Sequence, residues 1–313
     1  MEIAPSEFRI MHSPPDSQPM TLGYFYAGLI IVIWTGFTLI TRIGVTGSLT
    51  PYDVIAIRLA TAAILAVPMW LHLSHHRRID WHMAALTATG GLGYVILVYC
   101  AFHLAPASHG GILLSGLQPF VMSLCTWAVM GEKPTRQRLA GMAAIGMGAA
   151  VLGYGVLTGG SDSWRGDLLF VGASLSWALY AVLARRWKVS PWETTLNVSL
   201  LAAAVYLPVY LLALPKTIMQ SNWSEIMIQA AYQGALAAFI HAFIYMRAVE
   251  ILGPSRLGVL TAITPVTAAM AAVPLLHEPL TASLLASLVL VTTGVVVGNG
   301  ISLPRLKPLP SEG

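Results

Sequence analysis

Charge is what this sequence has least of. Lys, Arg, Asp and Glu make up 10% of its 313 residues, against roughly 25% in an ordinary soluble domain. That is too little to cover a water-facing surface, so a soluble globular protein is excluded. Cysteine is scarce as well. Cys100 and Cys125 both lie in apolar stretches, with no CxxC, and both read as small buried hydrophobes. No metal, cofactor or catalytic residue is expected. Neither HExxH nor paired acidic residues inside an apolar run are present, which leaves an enzyme without its usual chemistry. The basic residues are scattered over short polar breaks, and nucleic acid is therefore not an expected partner.

Apolar sequence is what the chain has in abundance: 56% of residues are hydrophobic and mean hydropathy is +0.72. It falls into ten blocks, each near the ~20 residues with which a helix crosses ~30 Å of hydrocarbon. The predicted spans are 22–45, 51–73, 82–104, 106–130, 137–157, 166–187, 192–214, 228–250, 255–276 and 280–300. An all-α integral membrane protein follows, with the lipid bilayer as its first partner. Residues 1–21 carry four prolines and no apolar core of a signal peptide; they are expected to be a flexible tail, with a short second tail over 301–313. Met11 and Met20 are alternative starts. With the N-terminus inside, twelve Lys and Arg fall in cytoplasmic segments and only Arg165 and Lys216 outside, so both termini are expected in the cytoplasm of a bacterial-type inner membrane.

The sequence also repeats itself. Gly23, Trp34 and Arg42 return as Gly166, Trp177 and Arg185; Pro51, Asp53 and Pro68 as Pro191, Glu193 and Pro208; Pro119, Glu132, Thr135 and Gly148 as Pro265, Glu278, Thr281 and Gly294. The chain is thus a duplicated five-helix unit, 22–157 and 166–300. An odd number of crossings makes the second copy enter the membrane from the other side, and such inverted repeats place a substrate site at their interface near the midplane.

Trp34-Thr35-Gly36-Phe37, Arg58-Leu59-Ala60, Ala101 to Ser108, and Leu117-Gln118-Pro119 leading to Gly131-Glu132 resemble the ten-helix EamA-type branch of the drug/metabolite transporter superfamily. In the second copy the same resemblance lies in Trp177 to Tyr180, Ala248 through Pro254-Ser255, Thr264-Pro265, and His277-Glu278 with Thr281. It spans about 22 to 300 and implies secondary transport of small organic molecules, often export, around a cavity built from helices 1, 3, 4, 6, 8 and 9. Two features depart from it. Val198 stands where the second copy would match Arg58, and His103, His109 and His241 are not hallmarks of the family.

Each candidate residue has a bland alternative. Trp34 and Trp177 lie near mid-span, where tryptophan is unusual, and read as cavity walls or as packing aromatics. Tyr180, His241 and Tyr245 extend that wall, His241 also as a hydrogen-bonding or proton-carrying group. Pro119 and Pro265 read as mid-span hinges or fixed kinks, with Gln118 and Thr264 offering polar contacts beside the broken turn. Glu132 and Glu278 anchor helix ends by accepting from the next helix's amides, with Thr135 or Thr281 as caps, or form matching inner and outer gates with a cationic partner. Arg58, inside the second span, binds a substrate carboxylate or pairs with a helix end or Asp53. His103 and His109 flank the turn at Pro106, at the cavity mouth or merely beside it. Gly294 and Gly298, with Ala140, Ala144 and Gly148 on the fifth helix, form small-residue strips for packing within one chain or in a dimer.

The expected function is secondary transport, with export the expected direction, of a small polar or amphipathic metabolite of amino-acid-like character. Drug efflux by the same fold is the alternative, and an embedded enzyme or sensor a distant third. Proton or solute coupling and a monomer or weak dimer complete the expectation.

Overall fold

The computed structural model describes residues 20–72, 79–159 and 161–298. Among the described residues there are helices and no strands. The expected tails lie outside them, except that Met20 and Thr21 already belong to the first helix.

Eight helices are long and apolar enough to cross a membrane: α1 (Met20–Thr46), α2 (Pro51–His72), α3 (Trp81–Leu104), α4 (Ala107–Met130), α5 (Arg136–Thr158), α6 (Trp164–Arg186), α7 (Pro191–Ala213) and α8 (Trp223–Leu252). The last two predicted spans differ from expectation. The ninth is two pieces, α9a (Pro254–Thr261) and α9b (Thr264–Leu276), and α10 (Ala282–Gly298) is short. Among the described residues eight helices reach full spanning length, and α9b and α10 are shorter apolar helices at the places of the last two predicted spans.

Local chemistry sets several of the boundaries. Ser190 caps α7 in a reciprocal box, its side chain accepting from the amide of Glu193 while Glu193 accepts from that of Ser190. Thr50 and Asp53 repeat this exchange at α2. Thr135 caps α5 through the Arg138 amide, and Thr281 accepts from the Leu284 amide at α10. Gly131 ends α4 in the left-handed region (φ 74), a conformation glycine adopts without a Cβ penalty. At the equivalent end of α9b the left-handed residue is His277 (φ 54).

The packing repeats as the sequence does. α1 lies against α8 and α9b, and α6 against α3 and α4; α2 pairs with α7, and α5 with α10. Exchange of the two copies reproduces this pattern, so the two five-helix units are related by an approximate two-fold. Their directions are opposite. The start of α6, at Gly166, meets the end of α3 at Ala101 and Ala105, while α3 runs with α1, since Arg42 near the end of α1 reaches the Phe102 and His103 carbonyls.

The α5–α10 contact is the closest backbone approach of the pair. A Cβ on Gly141 would stand 2.5 Å from the Gly294 carbonyl, and one on Gly294 would stand 2.6 Å from that of Gly141. This corrects the expected strip. Ala140 is exposed, and Gly141 with Gly148 forms the contact face within the chain.

Candidate functional site

Four elements depart from regular α-helix where the copies meet. α3 contains a π segment over Thr87–Gly93, α4 one over Gly111–Gly116, and α8 one over Ala230–Ile240; α9 breaks outright between its two pieces. Widened turns free carbonyls, and such segments cluster at functional sites. Neighbouring helices occupy the freed groups. Ser176 Oγ donates to Thr89 O at 2.8 Å, Ser174 Oγ to Leu113 O at 2.6 Å, and Arg58 Nη1 to Gln233 O at 3.1 Å.

Pro119 and Pro265 fall at the breaks, but not as expected. Each lies in the first turn of the helix that follows, Gln118–Met130 or α9b, where a missing N–H has no intrahelical partner to lose. The prolines start half-helices; the departure from α geometry precedes them. Beside them, Thr264 is buried and donates to Thr261 O at 2.7 Å, and Gln118 has a buried Nε2 without a hydrogen-bond partner.

Trp34 and Trp177 occupy equivalent positions and share one equivalent neighbour. The ring of Trp34 lies 5.5 Å from that of His241 on α8 and 6.2 Å from Tyr245. Trp177 lies 5.0 Å from Tyr94 on α3, the residue matching His241, and 5.2 Å from Tyr180. Thr35 and Thr267 share a hydrogen bond of 2.7 Å between α1 and α9b. The symmetry ends at Arg58. Its guanidinium sits 5.9 Å from the Phe37 centroid and donates to Gln233 O, and Val198 replaces it in the second copy. Tyr99 in turn donates to Gln233 Oε1 at 2.7 Å, and Gln233 Nε2 to Thr41 Oγ1 at 2.8 Å. Arg58 does not pair with Asp53, whose carboxylate is taken up by Thr50, Thr217 and Tyr210.

The two glutamates behave differently from each other and from a simple anchor to the next helix. On the face where α4 ends, Glu132 pairs with Arg185 of α6 at 2.9 Å, both well exposed. On the other face, Glu278 accepts the amides of Ala107 at 2.5 Å and Ser108 at 2.9 Å, which open α4. Arg42, the counterpart of Arg185, caps the end of α3 instead. His103 Nδ1 is 2.7 Å from Val45 O. His109 lies 2.8 Å from Asp167 of α6, both side chains 12% exposed. Sequence reasoning missed this pair, because nothing in the spacing aligns positions 109 and 167. It gave no sign of Tyr94 as a site residue for the same reason.

The same asymmetry appears in packing. α9b lies against the first part of α4, Ala107–Gly116, at the Glu278 face; at the Glu132 face, α9a has no comparable packing against Gln118–Met130. A crevice of about 260 Å³ lies beneath the Glu132–Arg185 pair, bordered by Pro119, Gly141 and Gly298. Another, of about 580 Å³, lies on the opposite face beside Thr46–Tyr52 and His103. Neither reaches Trp34, Trp177 or Arg58. Among the described residues no group of three or more His, Cys, Asp or Glu is placed to hold a metal ion.

Two opposed helical units, broken helices at their contact and a polar centre enclosed by apolar surface define an integral membrane protein of transporter architecture. The EamA-like transporter family model matches twice, over residues 21–154 and 164–299, and the chain belongs to that family. It is similar to the uncharacterized transporter YvbV of Bacillus subtilis (strain 168), at 26% identity over 193 residues; the match spans 58% of this chain and 60% of that relative. A protein of known crystal structure shares the fold with a TM-score of 0.59 at 22% identity, over 90% of this chain and 98% of the other.

Proposed function

We propose that the protein is a secondary transporter that exports a small polar or amphipathic organic metabolite, amino-acid-like in size, by alternating access at the interface of its two copies. One observation carries the reading. α4 and α9 are packed together at the Glu278 face and apart at the Glu132 face, which is the arrangement of a carrier closed on one side and open on the other. Trp34, Trp177, Tyr180, His241 and Tyr245 form the walls of the site, with Gln118 and Thr264 beside the half-helix starts. Glu278 with Arg42 serves the closed end, and Glu132 with Arg185 the open one. The distribution of Lys and Arg supports a reading with the open end and both termini in the cytoplasm of a bacterial inner membrane. Coupling to a proton or a second solute supplies the driving force, and a monomer is sufficient because the small-residue contact of α5 and α10 is satisfied within the chain.

The test is flux in reconstituted liposomes, with substrates drawn from metabolites that accumulate outside an overproducing strain. Trp34→Ala with Trp177→Ala is expected to reduce flux and affinity. Unchanged kinetics in the double variant sink the assignment of the site.

A further inference from the structure

Arg58 is a permanent cation inside a membrane-spanning helix, a costly placement that ordinarily comes with a counter-ion. Among the described residues no carboxylate lies within ion-pair distance of it: the ion pairs there are His82–Asp80, His109–Asp167, Arg185–Glu132 and Arg247–Glu250. Asp53, the nearest acidic residue in sequence, is fully buried in its own hydrogen bonds. Of the five N–H donors a guanidinium offers, one reaches the backbone O of Gln233, whose side chain accepts from Tyr99. Arg58 is turned toward the neighbouring helices: its contacts are to Phe37 of α1 and Gln233 of α8. A second polar group, on α8 as Gln233 is, is unsatisfied: His241 Nε2 is buried without a hydrogen-bond partner, its ring 5.5 Å from that of Trp34.

We infer that Arg58 is the anchor of a carboxylate ligand, with His241 Nε2 as an additional donor. The ligand is a small organic acid or zwitterion. This rests on the transport reading of the same site and narrows its substrate class. The fork of an arginine matches both oxygens of a carboxylate, which a lysine ammonium does not. Because Val198 occupies the matching position, only one end of the site is cationic, so the ligand is held in one orientation.

The experiment measures binding to the detergent-purified full chain by tryptophan fluorescence and thermal shift. The probes are benzoate, phenylacetate and phenylalanine, each beside its methyl ester. Saturable binding of at least one acid, with its ester ineffective, is the expected result. Arg58→Gln should then weaken that acid by roughly 30-fold or more, the loss typical of a desolvated charge pair, with Arg58→Lys intermediate. Esters binding as well as acids, no acid saturating, or Arg58→Gln retaining affinity overturns the proposal. Should Arg58→Gln fail to fold, the acid-to-ester ratio in the wild type and in Arg58→Lys decides. Flux measured in parallel separates the two readings. Acids that bind but are never carried sink the transport reading and leave this site standing. Uncharged solutes carried equally by wild type and Arg58→Gln do the reverse.

Discussion

Asp53 and Glu193 occupy the same position in the two copies, yet their replacement should have unequal consequences. Both carboxylates serve a box at the start of a helix, but Glu193 accepts only the Ser190 amide, at 3.1 Å. Asp53 Oδ2 accepts the amide and hydroxyl of Thr50, both at 2.8 Å, and those of Thr217, at 3.0 and 2.9 Å. Its Oδ1 accepts from Tyr210 at 2.5 Å. The buried carboxylate therefore ties the α1–α2 connection to the α7–α8 connection. In Asp53→Asn the amide oxygen can keep the four donors on one side while the NH2 faces Tyr210, whose hydroxyl turns to accept. What is lost is the charge in four bonds. Charged hydrogen bonds exceed neutral ones by about 0.5–1 kcal/mol each, giving ~2–4 kcal/mol in all. Glu193→Gln loses charge in one bond and should cost under ~1 kcal/mol. At about 2 °C per kcal/mol for a chain of this size, Asp53→Asn is expected to lower Tm by roughly 4–8 °C and Glu193→Gln by about 2 °C or less. Intrinsic-fluorescence melting in detergent reads both. Equal shifts in the two variants would refute the reasoning, since they share the local box and differ in the bonds from the Thr50 hydroxyl, Thr217 and Tyr210.

Three further outcomes are expected. Gly294→Val drives a side chain into the Gly141 carbonyl and should destabilise by ~1–3 kcal/mol or more, read as lower Tm and a weaker monodisperse peak. His109→Ala leaves the buried Asp167, whose Oδ2 already has no partner, without its ring partner; a loss of ~3 kcal/mol is expected, and a melting curve that does not move removes the pair from the structural account. His277→Gly relieves a left-handed residue and should raise stability by about 1 kcal/mol, whereas Gly131→His at the matching position should lower it by a similar amount.

Much of the architecture was legible because lipid imposes a coarse and repetitive pattern. Blocks of apolar residues and recurring Trp, Pro and Glu are visible in one dimension, and eight of the ten predicted spans appear as full-length helices. The breaks were read less well. Pro119 and Pro265 marked their neighbourhood, but the loss of α geometry lies before them; in α4 it falls at the Gly110-Gly111 pair and Gly116. Glycine clusters were the available signal, and the same signal at Gly90, Gly91 and Gly93 marks the π segment of α3. Trp34, His241 and Tyr245 were found together because two lie one turn apart and the third recurs. Tyr94, the His109–Asp167 pair and the lock at Asp53 were not, since each joins residues of different helices and carries no periodicity of its own.

The unequal ends of the two copies carry a description of the state not seen. If the copies exchange roles, α9a closes on the end of α4, Arg185 turns to the end of α8, and Glu132 leaves it to cap the start of α9. There the match is imperfect. Glu278 holds the amides of Ala107 and Ser108, but the equivalent residues are Pro254 and Ser255, and a proline nitrogen has no hydrogen to donate. Closure at the Glu132 end is therefore one hydrogen bond poorer than closure at the Glu278 end. Under the alternating access we propose, an empty carrier with that imbalance would rest with its Glu132 end open, ready to load from that side.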